Sequence, residues 1–289
     1  MSESPRRGGG RRRPPPQLVE VVRVARVSPR LVSVHVGGGD LSRFADAAPT
    51  SHLKVFLPAP GQSAPALPAM TDEGRVWPEG APRPAVRTYT PRSYDPVAGT
   101  LEVQFVLHGE GPASEWAGRA ATGDKIAIGG PGGRFAVDPG AKRWWIGGDE
   151  SALPAIGTLL DALPAGASAD VHVEVAGAED EIPLTGAADV TVTWHHRRGP
   201  EEWGVSLRDA AGWSASLRDA AGWGASLRDA AARAAIDDGT HVWVACEASA
   251  VRAIRRDLMD RGLPREALVT RGYWRAGMAD HPDHDYGED

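Results

Sequence analysis

Arg87-Thr88-Tyr89-Thr90 places a cation, an aromatic ring and a hydroxyl on one short extended segment. In a strand alternate side chains share a face, so Arg87 and Tyr89 point one way and Thr88 and Thr90 the other. The Tyr89 ring can lie against a planar heterocycle, the Arg87 guanidinium can grip a phosphate with a forked contact, and Thr90 can reach a polar ring edge. That order suits a flavin dinucleotide. A half-buried barrel strand could carry the same four letters, so the segments downstream must decide between the two.

Three of those segments are rich in glycine. His108-Gly109-Glu110-Gly111-Pro112-Ala113-Ser114 leads into a short helix, where unpaired backbone amides attract anions and small residues let a pyrophosphate approach the main chain. Gly129-Gly130-Pro131-Gly132-Gly133 either admits a cofactor close to the backbone or is an irregular turn. Gly147-Gly148-Asp149-Glu150-Ser151 joins an apolar strand to a helix, which is where a doubly wound sheet binds ligands. Its spacing is not GxGxxG, so the letters alone assign no dinucleotide fingerprint.

The elements that must position these residues change character along the chain. From Leu18 to about Val137 short alternating apolar runs are separated by Gly and Pro clusters. Strands are expected near Val19–Val27, Leu31–Val36, His52–Leu57, Arg87–Thr90, Leu101–Leu107 and Lys125–Ile128. One short helix runs from Pro112 to Ala120, and Pro58 to Pro84 forms a long surface loop. This pattern predicts an antiparallel barrel. After Lys142 compact β-rich runs, Trp144–Ile146, Val171–Val175, Val190–Trp194 and Val242–Ala245, alternate with helical stretches at Leu153–Leu163 and Ala248–Arg261. Leu268–Arg271 is a candidate last strand. Such alternation predicts a parallel, doubly wound sheet, with the boundary near Gly140.

A tandem decapeptide lies between Trp203 and Ala232: WGVSLRDAAG, WSASLRDAAG, WGASLRDAAA. Each copy sets Trp four residues before Leu, the spacing of an amphipathic helical turn. Ten residues rotate successive copies by about 80°, so no single apolar stripe persists and no coiled coil results. The reading is a duplication that lengthens one helix or loop.

Composition excludes several classes. The net charge of −6 argues against a general nucleic-acid binder, although the first residues, MSESPRRGGGRRRPPP, hold five arginines and read as a solvated arm. Lone Cys246 supplies neither an internal disulfide nor a thiolate cluster, so redox chemistry needs an organic cofactor or a substrate metal. No metal site is expected, the acidic tail with His281 and His284 included. No apolar run approaches the roughly 20 residues of a membrane span, and no apolar signal opens the chain. A cytoplasmic monomer is expected.

RTYT, HGEGPASEWA, GDKIAIGGPGG, GGDESALPAI, ACEASAVRAIRR and GYWR, in that order, resemble the siderophore-interacting protein family. This is a flavin-dependent ferric-siderophore reductase branch of the ferredoxin-reductase-like superfamily, and the likeness runs from about Leu18 to Gly277. It implies a two-domain protein: an antiparallel Greek-key FAD-binding β-barrel followed by a doubly wound α/β domain for a nicotinamide nucleotide. The expected layout is a basic arm over 1–17, the barrel over 18–140, the nucleotide domain over 141–277 with the repeat insert at 203–232, and an acidic tail over 278–289. The resemblance sets Arg87, Tyr89 and Thr90 against the flavin and its phosphates, and His108, Ala113, Ser114, Gly130 and Gly132 around the rest of FAD. Asp149, Glu150, Ser151, Glu247 and Ala248 would line the nicotinamide cleft, with Tyr273 and Trp274 beside the isoalloxazine.

Two positions depart from the family pattern. Cys246 stands where Gly is common, and Gly132 where many relatives carry Arg. The basic cluster that attracts an anionic ferric chelate would then be Lys54 and Arg275, with Arg134 as a third member. The implied reaction is reduction of ferric siderophore by NADPH or NADH through FAD, releasing Fe(II) inside the cell. Arg197 and Arg198 are candidates for the ribose phosphate of NADPH. His195 and His196 read as polar strand-end residues. No acid–base pair is demanded, so no catalytic side chain is assigned. The competing readings are a flavin reductase serving a ferredoxin, flavodoxin or oxygenase, and a siderophore carrier without catalysis.

Overall fold

The computed structural model describes residues 14–71, 74–109, 111–197 and 223–279. Nine strands and one helix form the first domain: β1 (Gln17–Ser28), β2 (Leu31–Gly37), β3 (His52–Leu57), β4 (Ala69–Thr71), β5 (Gly74–Val76), β6 (Ala85–Tyr89), β7 (Pro91–Asp95), β8 (Thr100–Val106), α1 (Pro112–Arg119) and β9 (Lys125–Gly132). Seven of the strands make one antiparallel sheet in the order β6-β3-β9-β1-β2-β8-β7. Its two edge strands, β6 and β7, are consecutive in the chain with only Thr90 between them. The sheet is thus tied to itself through the RTYT segment, which draws its two ends together into a barrel, with β6 hydrogen-bonded to β3 and β7 to β8. Val19, Val34, Leu53, Val55, Val103, Phe105, Ile126 and Ile128 fill the interior, and α1 covers one end with Trp116.

The second domain holds β10 (Arg143–Asp149), α2 (Leu153–Ala162), β11 (Ser168–Val175), β12 (Asp189–His196), α3 (Ala225–Arg233), β13 (Thr240–Glu247), α4 (Ala248–Asp260) and β14 (Leu268–Trp274). The five strands are all parallel, in the order β12-β11-β10-β13-β14, so the chain starts at the centre and winds outward both ways. Alternation within the strands builds two cores. Trp144, Ile146, Val171, Val173 and Trp243 pack under α2, whereas Trp145, Val242, Val244 and Cys246 pack under α3 and α4. This is the doubly wound arrangement expected, and it brings the ends of β10, β11, β12 and β13 to one edge.

Two elements escaped the sequence pattern. Within the expected loop of residues 58–84, β4 and β5 pair as a small hairpin. β7 begins at Pro91 and continues with Arg92, Ser93, Tyr94 and Asp95, a polar run that pairs only with β8. An outer strand needs one ladder of hydrogen bonds and tolerates proline, so it carries no apolar signature. The third decapeptide copy is α3 with its leading turn, Leu227 being its buried anchor. The first two copies, the basic arm up to residue 13 and the tail from residue 280 lie outside the described residues.

Polar contacts fasten the domains together. Asp180, almost fully buried, accepts from Ser28 Oγ (2.8 Å), the Arg30 backbone N–H (3.0 Å) and Arg30 Nη1 (2.6 Å). Arg92 donates to Asp161 (2.6 Å), and the Thr50 N–H to Thr158 Oγ1 (3.0 Å). No helix among the described residues is long and apolar enough to cross a membrane.

Candidate functional site

On the barrel, cross-strand register fixes which face each RTYT residue occupies. Tyr89 lies opposite Leu53, Arg87 opposite Val55 and Thr88 opposite Lys54, so Arg87 and Tyr89 share a face and Thr88 takes the other. The Tyr89 ring backs onto Phe105, with centroids 4.4 Å apart, and Phe105 backs onto Trp116 at 5.4 Å. That stack holds the half-buried tyrosine in place, and its partial burial pushes the phenol pKa up. Arg87 donates to the Val86 carbonyl at 2.9 Å. Lys54 Nζ donates to Thr88 Oγ1 at 2.7 Å.

The loop before α1 is shaped by Ser114, whose buried hydroxyl accepts the His108 N–H (3.0 Å). Gly111, at φ 112°, turns the chain into the helix, and Pro112 opens it. Ala113 is buried, while His108 is exposed at the rim. Gly130 and Gly132 have a packing reason of their own. A Cβ on Gly130 would sit 3.2 Å from the Leu53 Cα, and one on Gly132 would sit 2.5 Å from His52 Nε2.

At the carboxyl edge of the parallel sheet the side chains are interlocked. Asp149 Oδ1 accepts the Ser151 N–H (2.9 Å) and Oγ (2.5 Å), and Oδ2 accepts the Trp274 indole N–H (2.7 Å). Burial, reinforced by the neighbouring Glu150, raises the Asp149 pKa to about 6 despite these bonds. Glu150 takes both amino groups of Arg197, Nη1 at 2.7 Å to Oε2 and Nη2 to Oε1, and Oε1 also accepts the Ala176 N–H (2.9 Å). The guanidinium lies over the Trp223 ring, 4.7 Å from its centroid, and Trp223 meets Trp274 edge-on at 4.8 Å. Glu247 caps α4 by accepting from Ser249 N (2.6 Å) and Ala250 N (3.1 Å), and Ala248 is fully buried behind it. Glu174 accepts the Gly224 N–H (3.0 Å) and the Ser226 hydroxyl. Cys246 is buried beside Asp149, Glu174 and Glu247; burial first, and then those carboxylates, hold its thiol protonated.

The two sets meet at Thr90. Tyr273 of β14 lies beside the buried Thr90 side chain, and burial lifts the Tyr273 pKa to about 12.

Two family models match, the siderophore-interacting FAD-binding domain over residues 20–135 and the siderophore-interacting protein model over 141–277. The chain belongs to the siderophore-interacting protein family. A siderophore utilization protein from T. fusca of this family's fold is 32% identical, with a TM-score of 0.76 over 93% of this chain and 96% of that one. The ferric vibriobactin reductase ViuB of Vibrio cholerae is 35% identical over 62% of this chain and 65% of its own length. The NADPH-dependent ferric-chelate reductase of Escherichia coli is 38% identical over 50% of this chain and 55% of its own. The architecture is the ferredoxin-reductase-like one.

The residues that would hold FAD in a siderophore-interacting protein fit that group here. Tyr89 is backed on one side by Phe105 yet half-exposed, Arg87 shares its face, and the α1 turn brings small residues and backbone amides to one loop. The three expected substrate cations are spread over three elements. Lys54 lies within β3 opposite Gly129, Arg134 is exposed just past β9, and Arg275 is exposed just past β14. Glu174 and Trp223 were not foreseen from sequence. Glu174 sits in a strand where burial, rather than any motif, gives it meaning, and Trp223 belongs to a repeat. The sequence signal for Trp223 is that its copy ends in Ala232, where the other two end in the helix-weakening Gly212 and Gly222. Arg198 lies outside the described residues. Among the described residues no three His, Cys, Asp or Glu side chains group as a metal site.

Proposed function

We propose that this chain reduces ferric siderophores in the cytoplasm, using FAD in the barrel and a reduced nicotinamide dinucleotide at the carboxyl edge of the second sheet. The balance is one reduced nicotinamide and two ferric chelates giving one oxidised nicotinamide, one proton and two ferrous ions. FAD supplies the conversion between a donor of electron pairs and an acceptor of single electrons. Iron(II) binds hard oxygen ligands more weakly than iron(III), so reduction loosens the chelate. The observation that carries this reading is the placing of Tyr273 beside Thr90, which brings the last strand of the nucleotide domain against the RTYT segment. The names of the Vibrio cholerae and Escherichia coli relatives, both ferric reductases, support it.

The chain's own side chains bind and orient in this scheme. Tyr89, braced by Phe105, presents a ring face, Arg87 neutralises phosphate, and Thr90 offers a hydroxyl beside Tyr273. Asp149 holds the Trp274 indole in one orientation beside them. Lys54, Arg134 and Arg275 provide positive charge for an anionic chelate.

An anaerobic stopped-flow experiment tests the proposal. The FAD-loaded protein is mixed with NADH or NADPH and then with catecholate or hydroxamate ferric chelates, with a ferrous trap present. Bleaching of the flavin followed by chelate-dependent return of its absorbance and a ferrous signal is expected. Bleached protein that no ferric chelate reoxidises would sink the proposal.

A further inference from the structure

The Arg197 guanidinium stands where a nicotinamide dinucleotide that carries a 2′-phosphate would seek a cation, directly after the outermost strand β12. In this protein it is already engaged. Both of its amino groups are on Glu150, the side chains of both residues are more than nine-tenths buried, and Trp223 covers the guanidinium face. Glu150 is held from its other side by the Ala176 N–H, so the pair cannot drift toward a ligand without breaking a second bond.

The charge around the pair points the same way. Asp149, Glu174 and Glu247 are buried at the same edge, and Asp149 and Glu174 add to the acidic field that Arg197 already serves beside Glu150. A 2′-phosphate carries between one and two negative charges at neutral pH. To be gripped it would have to strip Arg197 from Glu150, leaving a carboxylate buried without its partner and adding its own charge to the acidic edge. A 2′-hydroxyl demands neither.

Resting on the nicotinamide reading above, we infer that this protein takes NADH in preference to NADPH, and that Glu150 sets the preference by withholding Arg197 from the 2′-phosphate. This distinguishes it from the Escherichia coli relative, which is named for NADPH. Glu150 acts through Arg197 and is therefore a positioning residue for specificity.

Two measurements decide it. The first compares flavin reduction by the two nucleotides. The parent should show kcat/KM about tenfold or more in favour of NADH, and Glu150→Gln should move the ratio at least tenfold toward NADPH, a change of about 1.4 kcal/mol in discrimination. The second needs neither turnover nor a variant that folds. Calorimetry on the FAD-loaded parent should find AMP bound more tightly than adenosine 2′,5′-bisphosphate. Tighter binding of the bisphosphate, a parent that prefers NADPH, or a folded Glu150→Gln protein with the parent's ratio would overturn the inference while leaving the nicotinamide reading intact. Reduction by neither nucleotide, in protein that retains FAD, would overturn both.

Discussion

The two halves of the site are built on opposite plans. On the barrel Arg87 and Tyr89 are half-buried and lie within one tetrapeptide, and Tyr89 is steadied by Phe105 behind it. At the edge of the parallel sheet, Asp149, Glu150, Glu174 and Glu247 are buried and hydrogen-bonded, Asp149, Glu150 and Glu174 by donors drawn from distant elements and Glu247 by the first turn of its own helix. A surface of the first kind leaves a ring face and side-chain area open to a ligand. A buried network of the second kind spends that capacity on holding itself, so its residues serve recognition through shape and charge more than through free donors. Binding and stability should therefore separate between the two halves under mutation.

The largest expected effect lies in the network. Arg197→Ala leaves Glu150 buried without its cation, and breaking such a pair costs about 3–5 kcal/mol. Urea unfolding should show that loss for Arg197→Ala, whereas Arg87→Ala on the barrel should stay within about 0.5 kcal/mol of the parent. Equal losses at the two arginines would erase the distinction.

Next comes the mirror-image test on ligand binding. A charge-assisted hydrogen bond contributes about 1.5–3 kcal/mol, so Arg87→Ala should weaken FAD binding by roughly ten- to a hundredfold. A flavin fluorescence titration measures it. An unaltered dissociation constant would remove Arg87 from the phosphate role and leave the barrel half without its cation.

Asp149 sharpens the comparison through pH. Its folded pKa is raised to about 6 from 3.8, so below pH 4 both folded and unfolded chains hold the proton, and between 4 and 6 only the folded chain does. Stability contributed by this group is present at the acid end and is lost as pH rises through about 6. Relative to Asp149→Asn, the parent should lose on the order of 2–3 kcal/mol across that window and change no further above it. Unfolding midpoints of the two proteins, followed from pH 4 to 8, give the difference curve. A flat curve would mean that Asp149 ionises as freely as an exposed carboxylate.

The same contrast explains what the sequence could disclose. RTYT and the residues before α1 are local, and the alternation of β3, β8 and β9 and the strand-helix rhythm of β10 to α4 are periodic, so both the barrel site and the two-domain fold can be read along the chain. The acidic network cannot. Glu150 meets Arg197 across 47 positions, Glu174 meets Gly224 across 50, and Asp149 meets Trp274 across 125. Only the side-by-side order β12-β11-β10-β13-β14 brings these ends together, and no spacing rule encodes it. Sequence alone thus offered Arg197 as a free phosphate ligand, because its partner lies two strands away in the sheet. β7 went unread for a different reason: an outer strand with polar residues needs no apolar alternation.

The smallest effect concerns the repeat, which sequence reads as one device in three copies. The third copy, which lies among the described residues, sets Trp223 over Arg197, Gly224 and Ser226 on Glu174, and Leu227 in the core. Gly224 has φ 68°, and a Cβ there would collide with the Ala250 Cβ, so glycine is required at that position in the copy that docks. The second copy has Ser214 at the equivalent place and could not take over this role. Removing residues 203–222 leaves residues 198–202 to join Arg197 to Trp223. The guanidinium lies only 4.7 Å from the Trp223 ring centroid, and five residues reach more than 15 Å when extended, so the link is ample. Shortening a connection by twenty residues also lowers its closure entropy by no more than about 1–2 kcal/mol. The deletion variant should therefore keep FAD affinity, the nucleotide preference and the unfolding midpoint of the parent within about twofold in binding and 1–2 kcal/mol in stability. A greater loss in nucleotide binding, with FAD affinity retained, would show that the first two copies act at the network and that the site draws on more of the repeat than its last unit.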